Sequence, residues 1–310
     1  MAARIKSADL PAVRGTYTEG AAMSALTWMR VGGPADVLFS PADENDLAQF
    51  LRQTPEDIPV YPVGVGSNLL VRDGGIRGVV IRLGGAFAKI DIDRTAVRAG
   101  AATLDAQLAK AAARAGVAGL EFYRGVPGAI GGALRMNAGA YGGETKDVLV
   151  SAIAYDRTGV RHELANCDMA FGYRHSGVPA DYIFTSALFQ GRPGAPEDIQ
   201  ARMAKIMEKR EASQPIRART GGSTFANPDP ERSGGRSSWQ LIDQIGGRGR
   251  VVGDAQVSEQ HCNFMINRGK ATANDIETLV EGLRKQVLNE TGVELRWEIK
   301  RIGEPLKEPS

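Results

Sequence analysis

A glycine-rich turn with the sequence Gly-Val-Gly-Ser-Asn follows the strand-like run Ile58–Val63. Glycine lets the backbone take positive φ angles and approach a ligand closely. Successive exposed N–H groups in such a turn form a concave site for anions, above all for phosphate oxygens. The residues of the turn are Gly64, Val65, Gly66, Ser67 and Asn68. They predict a cradle for a diphosphate, and the alternative is a plain glycine turn between two strands.

This turn does not match the fingerprint of a Rossmann dinucleotide-binding domain. The third glycine of the pattern G-x-G-x-x-G would fall at Leu69. The sequence Asp73-Gly74-Gly75 also interrupts the chain where a helix should begin. The pattern therefore argues against a Rossmann domain, and the chain has no G-x-x-x-x-G-K-[ST] phosphate loop either.

A second glycine-dense segment, Gly125–Gly132, reads Gly-Val-Pro-Gly-Ala-Ile-Gly-Gly. Its backbone can come close to a flat or phosphorylated ligand, and Asn137 beyond it offers both a donor and an acceptor. The alternative is that Gly131 and Gly132 form the start of a closely packed helix. Two such segments in one chain indicate an extended ligand with several anionic or aromatic parts.

The composition is that of an ordinary globular protein. The length of 310 residues predicts two or three domains, and 43% hydrophobic with 24% charged residues is typical of a soluble chain. A net charge of +2, from 38 basic and 36 acidic residues, argues against a dedicated nucleic-acid binder. The chain has no apolar run of about 20 residues and no apolar N-terminal signal, so we expect no membrane insertion.

The cysteines and histidines do not have the spacing of a metal site. Cys167 and Cys262 match no C-x-x-C motif, and His162, His175 and His261 show no zinc-ligand pattern. We therefore expect no metal. Two distant, reduced cysteines are typical of a cytosolic protein.

Alternating segments predict an α+β protein with about three lobes. Strands are expected at Asp36–Ser40, Ile58–Val63, Gly78–Leu83, Ala88–Ile92, Ala96–Ala99, Val148–Tyr155, Tyr182–Phe189 and Glu294–Ile302. Helices are expected after an N-cap at Asp43, over Thr103–Ala115 with Thr103 as the cap, over Glu197–Ala212, after a Ser237–Gln240 capping box, and over Thr272–Asn289.

Nine segments, in one order along nearly the whole chain, resemble the UDP-N-acetylenolpyruvoylglucosamine reductases, also called UDP-N-acetylmuramate dehydrogenases. They are Val31–Ala35, Val63–Leu70, Gly125–Gly132, Met136–Gly142, Phe171–Ser176, Gly221–Pro228, Gly253–Ser258, His261–Asn267 and Trp297–Gly303. Each segment is a weak signal alone, and together they are specific.

The resemblance implies a two-lobed FAD-binding fold of the vanillyl-alcohol oxidase type plus a third, substrate-binding α+β domain. It places the first FAD-binding lobe at residues 1–83, with the C-terminal segment 292–310 returning to it. The second FAD-binding lobe would span residues 84–212, and the substrate-binding domain residues 213–291.

The resemblance also implies an activity. NADPH would reduce a noncovalently bound FAD, and the flavin would reduce the enolpyruvyl group of UDP-N-acetylglucosamine enolpyruvate to give UDP-N-acetylmuramate. The product feeds peptidoglycan synthesis, which links the enzyme to cell-wall biogenesis, cell shape, cell division and the cell cycle. The expected location is the cytoplasm, and the partners are the UDP-sugar and NADPH.

Three residues take catalytic roles by their match to family motifs. Arg174 would stabilise negative charge, Ser223 would donate a proton to carbon, and Glu298 would lie near the developing enolate. Without the family match, each has an ordinary structural explanation: a surface ion-pair arginine, a loop serine, and a strand carboxylate facing water.

The remaining family-derived roles concern FAD and substrate. FAD would be lined by Gly64, Val65, Gly66, Ser67, Asn68, Gly125, Pro127, Gly128, Gly131, Gly132, Asn137, Ala138 and Gly139. The substrate would be contacted by Asn227, Gln256 and Asn263. One departure stands out: many relatives have lysine where this chain has Ala226, and Arg217 and Arg219 are candidates to compensate.

Two other functions fit parts of the pattern. A different FAD oxidoreductase on the same fold would share the glycine segments without the catalytic set. A non-catalytic protein that binds flavin or a nucleotide sugar would keep the pocket without turnover.

Overall fold

The computed structural model describes residues 4–306, in two compact units. The first unit comprises the chain up to Glu19, Val37–Gly64 and Gly78–Lys209, and the second comprises Gly20–Asp36, Val65–Arg77 and the chain from Arg210 onward. Residues 1–3 and 307–310, which the predicted first lobe includes, lie outside the described residues. Among the residues described, no helix is long and apolar enough to cross a membrane.

The helices and turns have the following bounds. The α-helices are Glu44–Gln53, Asp105–Arg114, Ile130–Met136, Thr145–Val148, Pro196–Ser213, Pro230–Ser233, Ser238–Gln244 and Ala273–Thr291. The 3-10 turns are Ser7–Asp9, Met23–Ala25, Gly85–Phe87, Glu121–Gly125 and Asn166–Met169.

Two sheets account for most strands of the first unit. A four-stranded sheet has the order Thr16–Ala22, Pro34–Ser40, Ile76–Ile81 and Val60–Pro62. A five-stranded antiparallel sheet has the order Arg161–Ala165, Leu149–Tyr155, Ile183–Gln190, Ala96–Gly100 and Ile90–Asp93. Short pairs join Gly139–Ala140 with Gly143–Glu144 and Val117–Ala118 with Arg192–Pro193. The predicted strands of this region are thus present, with bounds shifted by at most two residues.

Alternating apolar side chains fill the cores of the first unit. Phe39 and Phe50 meet at 4.4 Å between ring centroids, inside a cluster that joins the four-stranded sheet to the Glu44–Gln53 helix. A second cluster packs the five-stranded sheet against the Asp105–Arg114 helix and around Tyr123. The second cluster includes Tyr123 and Ile130, which flank the glycine-dense segment.

The second unit surrounds its own core. The helices Ser238–Gln244 and Ala273–Thr291 pack there beside a three-stranded antiparallel sheet. That sheet consists of Val251–Val252, Ala255–Val257 and Met265–Asn267. Two short strand pairs complete this unit: Phe225–Ala226 with Arg296–Trp297, and Leu69–Val71 with Lys300–Ile302.

Local capping signals predicted three helix starts correctly. The Asp43 carboxylate accepts from the Asp46 N–H, Ser237 and Gln240 form the capping box, and Thr272 accepts from the Asp275 N–H. Each signal acts within one turn of chain, so the sequence alone reveals it.

Thr103, in contrast, is not the N-cap that the sequence predicts. The cap is Leu104, whose side chain makes no capping bond, and the Thr103 hydroxyl is buried without a hydrogen-bond partner. The cause is a long-range pairing: the carbonyl of Thr103 accepts from the Ile130 N–H at 2.9 Å, so the chain stays extended there and the helix starts later.

The predicted continuous strand Glu294–Ile302 is also wrong. Arg296–Trp297 pairs antiparallel with Phe225–Ala226, whereas Lys300–Ile302 pairs in parallel with Leu69–Val71. The chain changes partner at Glu298, whose N–H donates to the carbonyl of Thr224 at 2.8 Å. Alternation of apolar residues predicts strand conformation but does not show that the pairing partner changes midway.

Candidate active site

The Gly64–Asn68 turn connects the strands Val60–Pro62 and Leu69–Val71. Gly66 has φ 65°, and a Cβ there would lie 2.8 Å from the carbonyl oxygen of Leu26. Its own carbonyl accepts from the Trp28 N–H at 3.2 Å. Packing within the chain therefore requires glycine at Gly66.

Gly64 has a different environment. It is exposed, its φ is not positive, and a Cβ there would meet no atom within 4 Å. The fold itself does not require glycine at this position. A phosphate group of a ligand that closely approaches the backbone would explain why residue 64 is glycine. This explanation fits the predicted cradle.

The change of partner in the C-terminal segment brings Glu298 beside this turn. The Asn68 amide nitrogen donates to the main-chain carbonyl of Glu298 at 3.3 Å, and the Lys300 N–H donates to the carbonyl of Asn68 at 3.1 Å. Glu298 is half-buried. The candidate acid is thus fixed at the end of the candidate diphosphate cradle.

Ser223 lies in the second unit, directly before Thr224, whose carbonyl accepts from the Glu298 N–H. It is half-buried and forms an isolated antiparallel bridge with Phe264. Gly222 before it has φ 81°, and a Cβ at Gly221 would come within 3.0 Å of Ile299. The structure therefore places the backbones of Ser223 and Glu298 in one hydrogen-bonded framework, and their catalytic roles stay predictions.

Asn263 supports this framework directly. It is 4% exposed, its side-chain oxygen accepts from the Phe225 N–H at 2.9 Å, and its amide nitrogen donates to the Phe225 carbonyl at 2.8 Å. Its own carbonyl accepts from the Thr224 N–H at 2.7 Å. The geometry supports a positioning role for Asn263, and a direct substrate contact remains a prediction.

The other two substrate candidates are more accessible. Asn227 is exposed and its side-chain oxygen accepts from the Ser238 N–H at 3.2 Å, at a helix start. Gln256 is half-buried in the middle strand of the three-stranded sheet, and its amide nitrogen is 3.5 Å from the carbonyl of Gly249. Both remain predictions as substrate ligands.

The environment of Ala226 points to a cation that the sequence analysis missed. Ala226 lies directly opposite Arg296 in the antiparallel pair, so their side chains share a face. Arg219 instead donates to the Gly269 carbonyl at 3.2 Å, and Arg217 lines a cavity of about 380 Å³ with Glu211 and other residues of the second unit. Strand register, which the sequence does not show, is the signal that identifies Arg296.

Arg174, in the first unit, occupies the tip of a tight hairpin. Gly172 and His175 exchange two backbone hydrogen bonds, and Arg174 has φ 52°. Its guanidinium donates to the Gly139 carbonyl at 3.0 Å and lies 5.3 Å from the centroid of the Tyr173 ring. The predicted catalytic arginine is thus bonded to a predicted FAD-lining residue.

Asn137 is hydrogen-bonded to this hairpin through its side chain. It is fully buried in the left-handed region, with φ 40°. Its amide nitrogen donates to the carbonyl of Gly172 at 3.1 Å and to Glu144 at 3.2 Å, and its oxygen accepts from the Lys146 N–H at 3.0 Å. The Asn137 side chain, which is predicted to contact a ligand, is therefore hydrogen-bonded within the chain. Through Gly172 it positions the hairpin that carries Arg174.

Glu144 completes the support of Asn137, and sequence reasoning did not single it out. The Lys146 ammonium, 2.7 Å away, and then Asn137 and Arg174 lower the pKa of the Glu144 carboxyl. Because it is charged, it is a strong acceptor for the Asn137 amide.

The Gly125–Gly132 segment contains glycines of two kinds. A Cβ at Gly125 would come within 2.6 Å of the Tyr141 ring, and one at Gly131 would come within 3.2 Å of Ala101. Both glycines permit internal packing, and Gly131, in the first turn of the Ile130–Met136 helix, matches the alternative of a closely packed helix start. Gly132, in contrast, is exposed, and a Cβ there would meet nothing within 4 Å. Like Gly64, it offers open backbone to a ligand.

Two groups of residues are predicted to line FAD, and each is described within its own unit. Gly64 and the chain from Gly125 to Gly139 belong to the first, where Pro127 and Gly128 are half-buried and the Ala138 carbonyl accepts from Thr145. Val65 to Asn68 belong to the second. Open backbone at Gly64 and Gly132 fits a cofactor with a diphosphate and flat rings. The described residues contain no cluster of three or more His, Cys, Asp or Glu side chains that could hold a metal ion.

Comparison with known proteins agrees with this chemistry. Residues 35–165 match a family model described as an FAD binding domain, and residues 214–302 match the C-terminal domain of UDP-N-acetylenolpyruvoylglucosamine reductase. These matches and the mixed sheets and helices confirm the predicted α+β, FAD-binding fold, and they are consistent with the vanillyl-alcohol oxidase type.

Similar full-length proteins carry the same reductase name. The protein of Parvibaculum lavamentivorans is 62% identical over 95% of this chain and 93% of its own, and that of Methylorubrum populi is 59% identical over 96% and 94%. The crystal structure of the reductase from Thermus caldophilus superposes with a TM-score of 0.79 at 35% identity, covering 94% of this chain and 99% of that one. The chain therefore belongs to the UDP-N-acetylenolpyruvoylglucosamine reductase family and is an FAD-dependent oxidoreductase.

Proposed function

We propose that this enzyme reduces the enolpyruvyl group of UDP-N-acetylglucosamine enolpyruvate to give UDP-N-acetylmuramate, with NADPH as the hydride donor. The names of its relatives support the reaction. The observation that carries the proposal is the framework that fixes Ser223 and Glu298 through Thr224. We further propose that the product serves peptidoglycan synthesis in the cytoplasm, and thereby cell shape and division.

Bound FAD supplies hydride transfer, from NADPH to the methylene carbon of the enolpyruvyl group. We assign the diphosphate to Gly64–Asn68 and the ring systems to the segments around Gly125–Gly132 and Asn137–Gly139. Open backbone at Gly64 and Gly132 supports this assignment. We propose noncovalent binding, since no histidine or cysteine stands in a recognised flavin-linkage motif.

Addition of hydride leaves negative charge on the adjacent carbon and on the substrate carboxylate. We assign its stabilisation to Arg174, a permanent cation whose hairpin is locked by Asn137. A donor fixed before the reaction costs no reorganisation when charge develops. The tight turn and the buried asparagine support this assignment, because they limit the positions that the guanidinium can reach.

The carbon that bears this charge then needs a proton, and we assign the donor to Ser223. A serine hydroxyl is a weak acid, so neighbouring groups must favour its donation. Glu298 stands in the same backbone framework, and we propose that its carboxyl acts near the developing enolate. Asn263 keeps the strand beside both residues in place.

The activity itself is tested with purified protein. We expect a yellow protein with flavin absorbance that consumes NADPH only when the enolpyruvyl substrate is present. A colourless protein without flavin contradicts the FAD assignment. Rapid NADPH oxidation with oxygen and no dependence on the UDP-sugar identifies an oxidase on the same fold.

A pair of alanine substitutions tests the diphosphate cradle. We expect Gly66→Ala to destabilise the protein by about 1–4 kcal/mol, because the left-handed backbone and the contact with Leu26 both oppose a Cβ. Gly64→Ala, its matched control, leaves the melting temperature of the FAD-free protein unchanged. If the cofactor approaches Gly64, the same control weakens FAD binding, measured by flavin fluorescence. Unchanged FAD affinity in Gly64→Ala removes Gly64 from the site.

A further inference from the structure

Asp105, the first residue of the Asp105–Arg114 helix, has an unusual environment. Its side chain is fully buried, and neither carboxyl oxygen has a hydrogen-bond partner. Among the described residues it is the only carboxyl group with both oxygens buried in this way. Buried acids are normally paired or hydrogen-bonded, since an isolated charge in an apolar core is very costly. No role in the proposed reaction accounts for Asp105.

The backbone around Asp105 is paired with the FAD-lining segment. The Asp105 N–H donates to the carbonyl of Gly128 at 3.1 Å, and the carbonyl of Thr103 accepts from the Ile130 N–H at 2.9 Å. The Gly131 N–H donates to the carbonyl of Ala101 at 2.8 Å. The two stretches therefore form an antiparallel ribbon, and any movement of Asp105 is transmitted to Gly128–Gly131.

Charge at Asp105 is disfavoured by its surroundings. Burial raises the pKa of the Asp105 carboxyl well above its ordinary value. Tyr123 is a titratable group that interacts with it: burial raises the pKa of the Tyr123 hydroxyl, the hydrogen bond to Thr145 opposes that rise, and ionisation of Asp105 would add to it. The Tyr123 hydroxyl donates to Thr145 at 3.1 Å, and the Thr145 hydroxyl donates to the carbonyl of Ala138 at 2.9 Å. Tyr123 is thus linked through Thr145 to the FAD-lining residue Ala138.

We propose that Asp105, buried without charge behind the Gly128–Gly131 ribbon, is a positioning residue for FAD and that loss of its proton loosens the cofactor. An ionised carboxyl must gain water or move outward, and either change breaks the ribbon. The inference depends on the proposed assignment of Gly125–Gly132 to FAD. It adds a residue that does not touch the reacting atoms.

The direction of the pH effect follows from linkage. A carboxyl whose pKa is raised on folding keeps its proton longer in the folded protein than in the unfolded chain. The free energy of unfolding therefore falls as the pH rises from the unfolded pKa to the folded one, and it is constant above that. If protonated Asp105 positions the cofactor, FAD affinity falls as the pH rises above the pKa of the Asp105 carboxyl in the folded, FAD-free protein.

The test measures the dissociation constant of FAD, by flavin fluorescence, from pH 5 to pH 10. The proteins are the wild type, Asp105→Asn and Asp105→Leu. The matched control is Asp91→Asn, at an exposed aspartate in a strand of the same unit. We expect the dissociation constant of FAD to rise at least tenfold over this pH range in the wild type and in the control. In both Asp105 variants it should stay constant with pH. The melting temperatures of the FAD-free proteins are measured over the same pH range. They show whether the acid is buried, independently of FAD binding.

A flat wild-type profile, or the same rise in the Asp105 variants, overturns the proposal. Failure of both variants to fold also overturns it, because an uncharged side chain must be tolerated at this position. Turnover of the enolpyruvyl substrate at pH 7 is measured together with the dissociation constant of FAD. An enzyme that turns over normally with a flat profile refutes the role of Asp105 alone, whereas an enzyme without turnover refutes the proposed reaction.

Discussion

Replacement of Ser223 by alanine is expected to slow the reoxidation of the reduced flavin by substrate by at least about 10²-fold, because the proton donor to carbon is lost. Reduction of the flavin by NADPH should remain near normal, because that half-reaction needs no proton from Ser223. Stopped-flow absorbance of the flavin follows the two half-reactions separately. The reduction step thus serves as an internal control for folding and cofactor binding.

Ser223→Cys distinguishes proton donation from simple packing. A thiol is a stronger acid than a hydroxyl and has a similar size, so the cysteine variant should recover part of the lost reoxidation rate. Equal loss in the alanine and cysteine variants argues that the hydroxyl only positions the substrate. Slow reduction together with normal reoxidation removes Ser223 from its assigned role.

Asn263→Ala should have the largest effect on stability. The change leaves the N–H and the carbonyl of Phe225 without partners at a residue that is 1% exposed. Each unpaired buried group costs about 1–3 kcal/mol, so we expect a loss of about 2–5 kcal/mol in the free energy of unfolding. Urea denaturation of the holoenzyme measures it.

Asn227→Ala is the matched control for stability. It removes one exposed side-chain bond, to the Ser238 N–H, and should cost less than about 1 kcal/mol. If Asn263→Ala is as stable as this control, the side-chain bonds to Phe225 contribute little. Asn263 then becomes a stronger candidate for a direct substrate contact.

The sequence predicts well whatever is encoded locally. The N-caps at Asp43 and Thr272 and the Ser237 capping box were read correctly, because each depends on groups one turn apart. The glycine segments were also located, although their glycines proved to be of two kinds. Only the structure separates Gly64, which has open space, from Gly66, which packs against the chain.

Long-range hydrogen bonds account for what the sequence analysis missed. The ribbon between Thr103 and Ile130 displaced the predicted cap, and the bond from Asn68 to Glu298 joins residues 230 positions apart. The residue type of Asn137 predicts a ligand contact, but it does not reveal the bond to Gly172, which lies 35 residues later in a hairpin. Residue type and spacing do not reveal such partners.

The divided C-terminal segment has a consequence for biosynthesis. The parallel partner of Leu69–Val71 is Lys300–Ile302, which the ribosome makes about 230 residues later. Because translation proceeds from the N-terminus, the strand Leu69–Val71, which follows the candidate diphosphate cradle, lacks this partner until nearly the whole chain has been made. Closing so long a loop is entropically slow, so we expect this pairing to form late in folding.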